Sequence, residues 1–194
     1  MIALDPLIDD SMAKNHTVGI SYPLRKAKRM DSLSFLPIGV IHTPFKTQER
    51  TPIQPNRSSG ATGTIEVWPD YTEALSDLDG FSHIVVLYCF HLSTGFDLRV
   101  IPFLDDQSRG LFATRAPRRP NPIGLSVVAL RGIRDNILSV ADVDMVDGSP
   151  LLDIKPYVPH FDEVSQVRIG WLNGKAPRHR DIRADERFHD SDHR

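Results

Sequence analysis

Leu125-Ser-Val-Val-Ala-Leu-Arg-Gly-Ile133, Arg134-Asp-Asn136 and Ile137-Leu-Ser-Val-Ala-Asp-Val143 follow one another as apolar run, polar connection and apolar run. β-branched and aliphatic side chains dominate both runs, which suits a pleated, half-buried surface. Asp and Asn in the connection tolerate the backbone of a tight reversal. The stretch therefore predicts an antiparallel hairpin.

The same grammar extends in both directions. Residues 81–90, with Ile84-Val-Val-Leu-Tyr-Cys-Phe90 at their centre, predict a long central strand. Residues 38–42 predict a strand, and residues 62–68 alternate as a half-buried one that stops at Pro69. Shorter strands are expected at 111–114 and 151–155, and Val167-Arg-Ile-Gly-Trp-Leu172 reads as a last one. In the first half of the chain only residues 72–78 suit a short helix, with Glu73, Ala74, Leu75 and Leu78 inside it and Gly80 to stop it. Seven or so short strands with frequent turns predict an all-β sandwich or barrel. Strand–helix alternation and a G-x-G-x-x-G turn are lacking, which argues against a doubly wound nucleotide fold. The expected organisation is an extension over 1–34, one domain over 35–162, and a basic, polar tail over 163–194.

With 194 residues and a formal net charge of −2, the chain has no global field to draw in nucleic acid, so RNA contact needs local basic patches. One cysteine, Cys89, sits in an apolar run and permits no disulfide framework, which fits a reducing cytoplasm. No apolar run reaches membrane-spanning length, and Asp5, Asp9 and Asp10 do not suit a signal peptide. Of the eight histidines, four lie near the termini, and His42, His83, His91 and His160 lack metal-ligand spacing, so no metal is expected. His91 closes the central strand, where ligand sites often lie. No G-x-S-x-G is present to supply a serine nucleophile.

The chemistry concentrates in three proline-braced loops. Gly110-Leu-Phe-Ala-Thr-Arg-Ala-Pro-Arg-Arg-Pro-Asn-Pro-Ile-Gly-Leu-Ser126 interleaves Arg115, Arg118 and Arg119 with Pro117, Pro120 and Pro122. Each proline fixes its own φ and restrains the residue before it, so the donors are stiff before a ligand arrives. Thr51-Pro-Ile-Gln-Pro55 repeats the device around Gln54, and Asp153-Ile-Lys-Pro-Tyr-Val-Pro159 around Lys155 and Tyr157. The three loops are expected to wall one site. Asp142, Asp144 and Asp147 serve either as turn formers or as acceptors for a ligand's hydroxyl or ammonium groups.

Five ordered segments resemble the TsaA-like family, also called TrmO. They are Ile38-Gly-Val-Ile-His-Thr-Pro-Phe45, Pro52-Ile-Gln-Pro55, Phe81-Ser-His83 with Phe90-His91, the run from Phe112 to Ser126, and the run from Asp147 to Tyr157. The resemblance implies a single-sheeted antiparallel β-barrel with short helical insertions. It implies a homodimer that binds S-adenosyl-L-methionine and methylates tRNA at N6 of threonylcarbamoyl-adenosine beside the anticodon. By the same resemblance the methyl donor is held by Pro52, Ile53, Gln54, His91, Leu92, Arg115, Leu125, Asp144, Met145, Val146 and Asp147. An amide-like acceptor nitrogen needs its proton removed, and Asp147 and Tyr157 are the candidates for that task. Arg118, Arg119, Asn121 and Lys155 are the candidates for the acceptor's carboxylate and phosphates. The separate C-terminal domain of longer bacterial members is expected to be lacking. That leaves open a small-metabolite methyltransferase and a non-catalytic S-adenosylmethionine-binding regulatory module.

Overall fold

A computed structural model of the chain describes residues 33–49, 51–52, 60–175, 184–185 and 188. Phe35–Arg194 form one compact unit, and every element below lies in it.

The hairpin that decides the fold is present: β6 (Ile123–Arg134) runs into β7 (Ile137–Ala141). Asp135 takes a φ of 53° at the reversal, the left-handed region that a short polar residue tolerates. The turn is also pinned from outside. Asn136 Nδ2 donates to the Val67 carbonyl at 2.7 Å, and the Val67 N–H donates to the Asn136 carbonyl at 3.0 Å. β1 (Gly39–His42), β2 (Thr62–Val67), β3 (His83–Cys89) and β8 (Ser149–Pro156) complete an antiparallel barrel closed in the order β1-β2-β7-β6-β3-β8. Gly39 is needed where β1 meets β2, because a Cβ there would stand 2.2 Å from the Glu66 carbonyl oxygen.

Alternation fills the barrel. Ile84, Val86 and Tyr88 of β3 point inward with Ile41, Ile65, Val128, Leu138, Val140 and Leu151, all buried. Complete burial of each aliphatic side chain contributes about 1.5–3 kcal/mol. Leu75 and Leu78 join the same core from two 3-10 helices, Pro69–Leu75 and Leu78–Gly80. Sequence reading expected one helix over 72–78 here. Asp77, at φ 66°, breaks the run into two tight turns instead. Cys89 is half-buried, and desolvation raises its thiol pKa, in keeping with an unreactive core-edge cysteine.

Two further strand expectations differ from the structure. Residues 111–114 form a 3-10 helix, Leu111–Ala113, directly after a small ladder of β4 (Arg99–Val100) with β5 (Arg109–Gly110). Turning there buries Leu111 with Val100, Ala116 and Phe188. Residues 167–172 contain a 3-10 turn, Gly170–Leu172, entered through Gly170 at φ 56°. The barrel is already closed by β8 on β1 and offers no edge for another strand.

Candidate functional site

The site grows from the place where β3 ends and β6 begins. Phe90 N–H donates to the Pro122 carbonyl at 2.8 Å, which joins the central strand to the proline-rich loop. Gly124 follows in β6, and its lack of a side chain has a local cause. A Cβ there would lie 2.3 Å from Tyr88 Cζ, so the tyrosine ring occupies the space above the Gly124 backbone. Tyr88 is buried and meets Phe90 edge to face at 5.3 Å. Its hydroxyl stands 3.4 Å from Ser126 Oγ, and that Oγ donates to Asp144 Oδ1 at 2.6 Å. Tyr88, Ser126 and Asp144 thus form a polar chain in otherwise apolar surroundings.

Burial disturbs both ionisable members. Desolvation, and next the charge of Asp144, push the Tyr88 hydroxyl far above its usual range, so it stays neutral. Desolvation likewise raises Asp144 to about 7, against smaller lowering effects from the Ser126 hydroxyl, its own backbone N–H and the Arg115 charge. A carboxylate poised there can take up or release a proton near neutrality.

Above this chain opens a cavity of about 860 Å³, within the ordinary size range of a small-molecule site. Its lining includes Pro52, His91, Leu92, Arg115, Arg119 and Leu125 with Asp144, Met145 and Val146. Short polar contacts fix these walls. Gln48 Nε2 donates to the Leu92 carbonyl at 3.1 Å, and His91 Nδ1 lies 3.4 Å from Ser149 Oγ. Ser149 Oγ in turn donates to the Val146 carbonyl at 2.7 Å. Thr43 Oγ1 donates to the Met145 carbonyl at 2.8 Å, and the Thr43 N–H to Asp147 Oδ1 at 2.9 Å. β1 therefore holds the turn that carries the acidic residues.

The structure gathers nine expected site residues around one cavity: Pro52, His91, Leu92, Arg115, Arg119, Leu125, Asp144, Met145 and Val146. Ile53 and Gln54 lie outside the described residues. Asp147 does not line the cavity. Its carboxylate pairs with Lys46 Nζ at 2.7 Å and lies 3.9 Å from His42 Nδ1. Lys46 first, then the Thr43 N–H, hold it below the usual carboxylate range, which makes it a poor proton acceptor. Asp142, inside the run expected to continue as a strand to Val143, instead breaks out of β7 at φ 62°.

Tyr157 and Lys155 are not brought to the cavity either. The Tyr157 N–H donates to the His83 carbonyl at 3.1 Å, and Lys155 stands opposite Val85 and pairs with Asp153 at 2.7 Å. Tyr157 sits by His83, about 17 Å along the strand from Tyr88, and Lys155 by Val85, about 10 Å from it. The expected convergence of three proline loops thus holds for Pro52 and the arginine loop and fails for the third. Arg118 and Asn121 share the arginine loop without lining the cavity, and Arg118 Nε lies 3.6 Å from Asp97. Arg119 closes the loop on itself, donating to the carbonyls of Thr114 at 3.0 Å and Ala116 at 3.3 Å.

Sequence reading missed Gln48, Tyr88, Ser126, Trp171 and Phe188 as cavity or network residues. Period-two alternation from Ile84 could have placed Tyr88 inward, but nothing local marks the other four. Among the described residues no group of three or more His, Cys, Asp or Glu is arranged to hold a metal ion. None of the described helices is long and apolar enough to cross a membrane.

Comparison with known proteins follows the same segments. The family described as the tRNA-methyltransferase O N-terminal domain matches residues 40–163. A Pyrococcus abyssi protein named as a probable S-adenosyl-L-methionine-binding protein is 49% identical over 80% of this chain and 85% of its own length. The Escherichia coli tRNA (adenine(37)-N6)-methyltransferase is 39% identical over 73% of the chain and 65% of its own length. The crystal structure of TrmO from Pseudomonas aeruginosa superposes with a TM-score of 0.61 at 39% identity, covering 72% of this chain and 62% of that one. The chain thus spans under two thirds of the latter two proteins. The matched segment contains the whole barrel from Val40 onward, the arginine loop and the Asp144 turn, and on that ground the chain belongs to the family of the tRNA-methyltransferase O N-terminal domain.

Proposed function

We propose that the chain is an S-adenosyl-L-methionine-dependent methyltransferase acting on tRNA, with N6 of threonylcarbamoyl-adenosine beside the anticodon as its acceptor. One observation carries the reading: a desolvated acid, Asp144, and Arg115 line the same largely apolar cavity. Family membership and the names of the relatives support it.

The residues present fit such a cofactor. A desolvated carboxylate whose pKa stands near 7 is stabilised by a cationic ligand, and Arg115 complements a carboxylate. Leu92, Leu125 and Val146 offer the apolar surface that a purine ring needs. Pro52, Ile53, Gln54 and His91 complete the binding set. When bound, the cofactor supplies an activated methyl group on a cationic sulfur, so the protein's task is alignment and charge accommodation.

The acceptor N–H is a weak nucleophile until its proton leaves. We assign that proton to Asp144 Oδ2, the oxygen that Ser126 does not engage, in place of Asp147 and Tyr157. Loss of positive charge beside an enclosed carboxylate raises its proton affinity, so proton uptake accompanies transfer. Phe112, 79% exposed with the Arg119 guanidinium 5.7 Å from its ring centre, offers a stacking face for the acceptor base. Arg118 and Asn121 suit the acceptor nucleotide from the same loop, and Lys155 suits the more distant RNA backbone. A homodimer belongs to this reading, supported by the exposed apolar residues Phe96 and Leu98, and a cytoplasmic location goes with a tRNA acceptor.

The test is incubation with methyl-labelled S-adenosylmethionine and total tRNA from cells lacking this protein, followed by nucleoside analysis. Label in the threonylcarbamoyl-adenosine is expected. Cofactor binding without label in any nucleoside would refute the tRNA reading in favour of a metabolite acceptor or a binding module.

A further inference from the structure

We propose that Trp171, Lys175 and Phe188, which lie beyond the matched family segment, are positioning residues that hold Arg115 in place. The proposal rests on the cofactor reading above for its ligand and on the following contacts for its geometry.

Arg115 is carried outside the barrel. Its loop makes short-range bonds of its own, from Thr114 N–H to the Leu111 carbonyl at 3.0 Å and from Arg119 to the Thr114 and Ala116 carbonyls. Such bonds shape a loop without fixing it to the body of the protein. The loop is tied to β3 at Pro122, and residues late in the chain tie it again on both sides of Arg115. Two positions before it, the Ala113 carbonyl accepts the Trp171 Nε1–H at 2.7 Å. One position after it, Ala116 is buried with Leu111, Val100 and Phe188. Phe188 also meets Phe103 edge to face at 5.0 Å.

A single carboxylate latches the arrangement. Asp105 Oδ2 accepts from Arg109 Nε at 2.9 Å and Nη2 at 2.6 Å, while Asp105 Oδ1 pairs with Lys175 Nζ. Lys175 and Arg109 leave the Asp105 side chain no exposed surface. The Arg109 guanidinium lies 5.5 Å from the Trp171 ring centre, so the same arginine braces the indole. The Ala184 N–H donates to the Thr51 carbonyl at 3.0 Å, beside Pro52 in the cavity lining. Trp171, Ala184 and Phe188 themselves line the cavity. The Asp105 contacts therefore connect the β4–β5 ladder to the wall next to Arg115, and the resulting enclosure is more complete than the barrel alone provides.

Two readouts on the full chain test this: equilibrium binding of S-adenosylhomocysteine, and amide hydrogen exchange over residues 111–116. Phe188→Ala and Lys175→Met are expected to weaken binding about ten-fold and to speed exchange at 111–116, with exchange in β3 and β6 unchanged. Trp171→Phe, which keeps a ring and loses the donor, moves both readouts in the same direction by less. Asn136→Ala loosens the barrel elsewhere and is expected to leave both readouts at wild-type values. Because the effect runs through Arg115, Phe188→Ala in an Arg115→Ala background is expected to weaken binding less than two-fold further. The same ten-fold loss in that background would overturn the positioning role, as would wild-type affinity and wild-type exchange in Phe188→Ala. Failure of the unmodified chain to bind S-adenosylhomocysteine would refute the cofactor reading, while exchange at 111–116 would still decide whether the loop is held from the chain's end.

Discussion

Gly124→Ala puts a methyl group where the Tyr88 ring now lies. The added Cβ would stand 2.3, 2.5 and 2.7 Å from three carbons of that ring, far inside van der Waals contact. Tyr88 is buried and packed on Phe90, so the ring cannot swing into solvent without opening the core. Overpacking of this kind costs about 1–3 kcal/mol. For a chain of this length each kcal/mol moves the melting temperature by about 2–4 °C. Tyr88→Ala alone removes the ring and costs about 3–5 kcal/mol, as large aromatic truncations do. The double variant is the informative one, because the new methyl then meets no ring. Its destabilisation should match Tyr88→Ala alone, leaving a coupling of about 1–3 kcal/mol between the two positions. Urea unfolding of the four proteins at one pH measures it. Additivity within about 0.5 kcal/mol would refute the claim that Gly124 is glycine because Tyr88 lies over it. Gly124→Ala should also weaken cofactor binding, since the Tyr88 hydroxyl abuts the Ser126 group that engages Asp144.

Three other variants, at Asp144, Asp147 and Asn136, carry the remaining outcomes. Burial raises Asp144 from 3.8 to about 7, so the stability this carboxyl contributes is complete below about pH 4 and is lost as pH rises through 7, with a ceiling of about 4 kcal/mol. Asp144→Asn should therefore unfold at higher urea than wild type at pH 8.5 and at equal urea near pH 4, and a wild type more stable at pH 8.5 would contradict it. That variant should also lose at least a hundred-fold in methyl transfer, measured as single-turnover rates, with Asp147→Asn losing less than ten-fold. Asp147 is held below 3.8 mainly by the exposed Lys46, so its stabilisation is present above pH 4 and fades as pH falls further. Loss of that exposed pair in Asp147→Asn should cost under about 1 kcal/mol at pH 7, and a larger shift would mean the Thr43 contact dominates. Asn136→Ala removes the side-chain bond to the Val67 carbonyl and should cost about 1 kcal/mol, read as a melting shift of about 2–4 °C.

How far the sequence speaks depends on the range of the interaction. Runs such as Ile84-Val-Val-Leu-Tyr carry their burial pattern in their own periodicity, and the hairpin at Asp135 and Asn136 carries its turn chemistry. Those elements are legible because neighbours along the chain decide them. Residues 111–114 and 167–172 have strand-like composition, yet their conformation depends on a barrel already closed by β8 and on the burial of Leu111. The site divides in the same way. Arg115 lies in a motif that resemblance could transfer, and Asp144 three positions ahead of another. Asp147 stands three positions from Asp144, and only the Lys46 and Thr43 contacts separate a tied surface carboxylate from an enclosed one. Tyr157 lies in a proline-braced loop like the others, and register alone, pairing Lys155 with Val85, sends it to the far end of β3.

The barrel's seam lies between β1 and β8, and the Thr43-to-Asp147 contact beside it joins residues 104 positions apart. Such a topology has high contact order, so loop-closure entropy must be overcome before the last pairing forms. On the ribosome, β1 and β2 emerge early but cannot complete the sheet until β8 has been made. Until then β1 keeps an open hydrogen-bonding edge. Closure of that seam also organises the turn holding Asp144, so a ligand-competent cavity forms only with the last strand and never on a half-made chain.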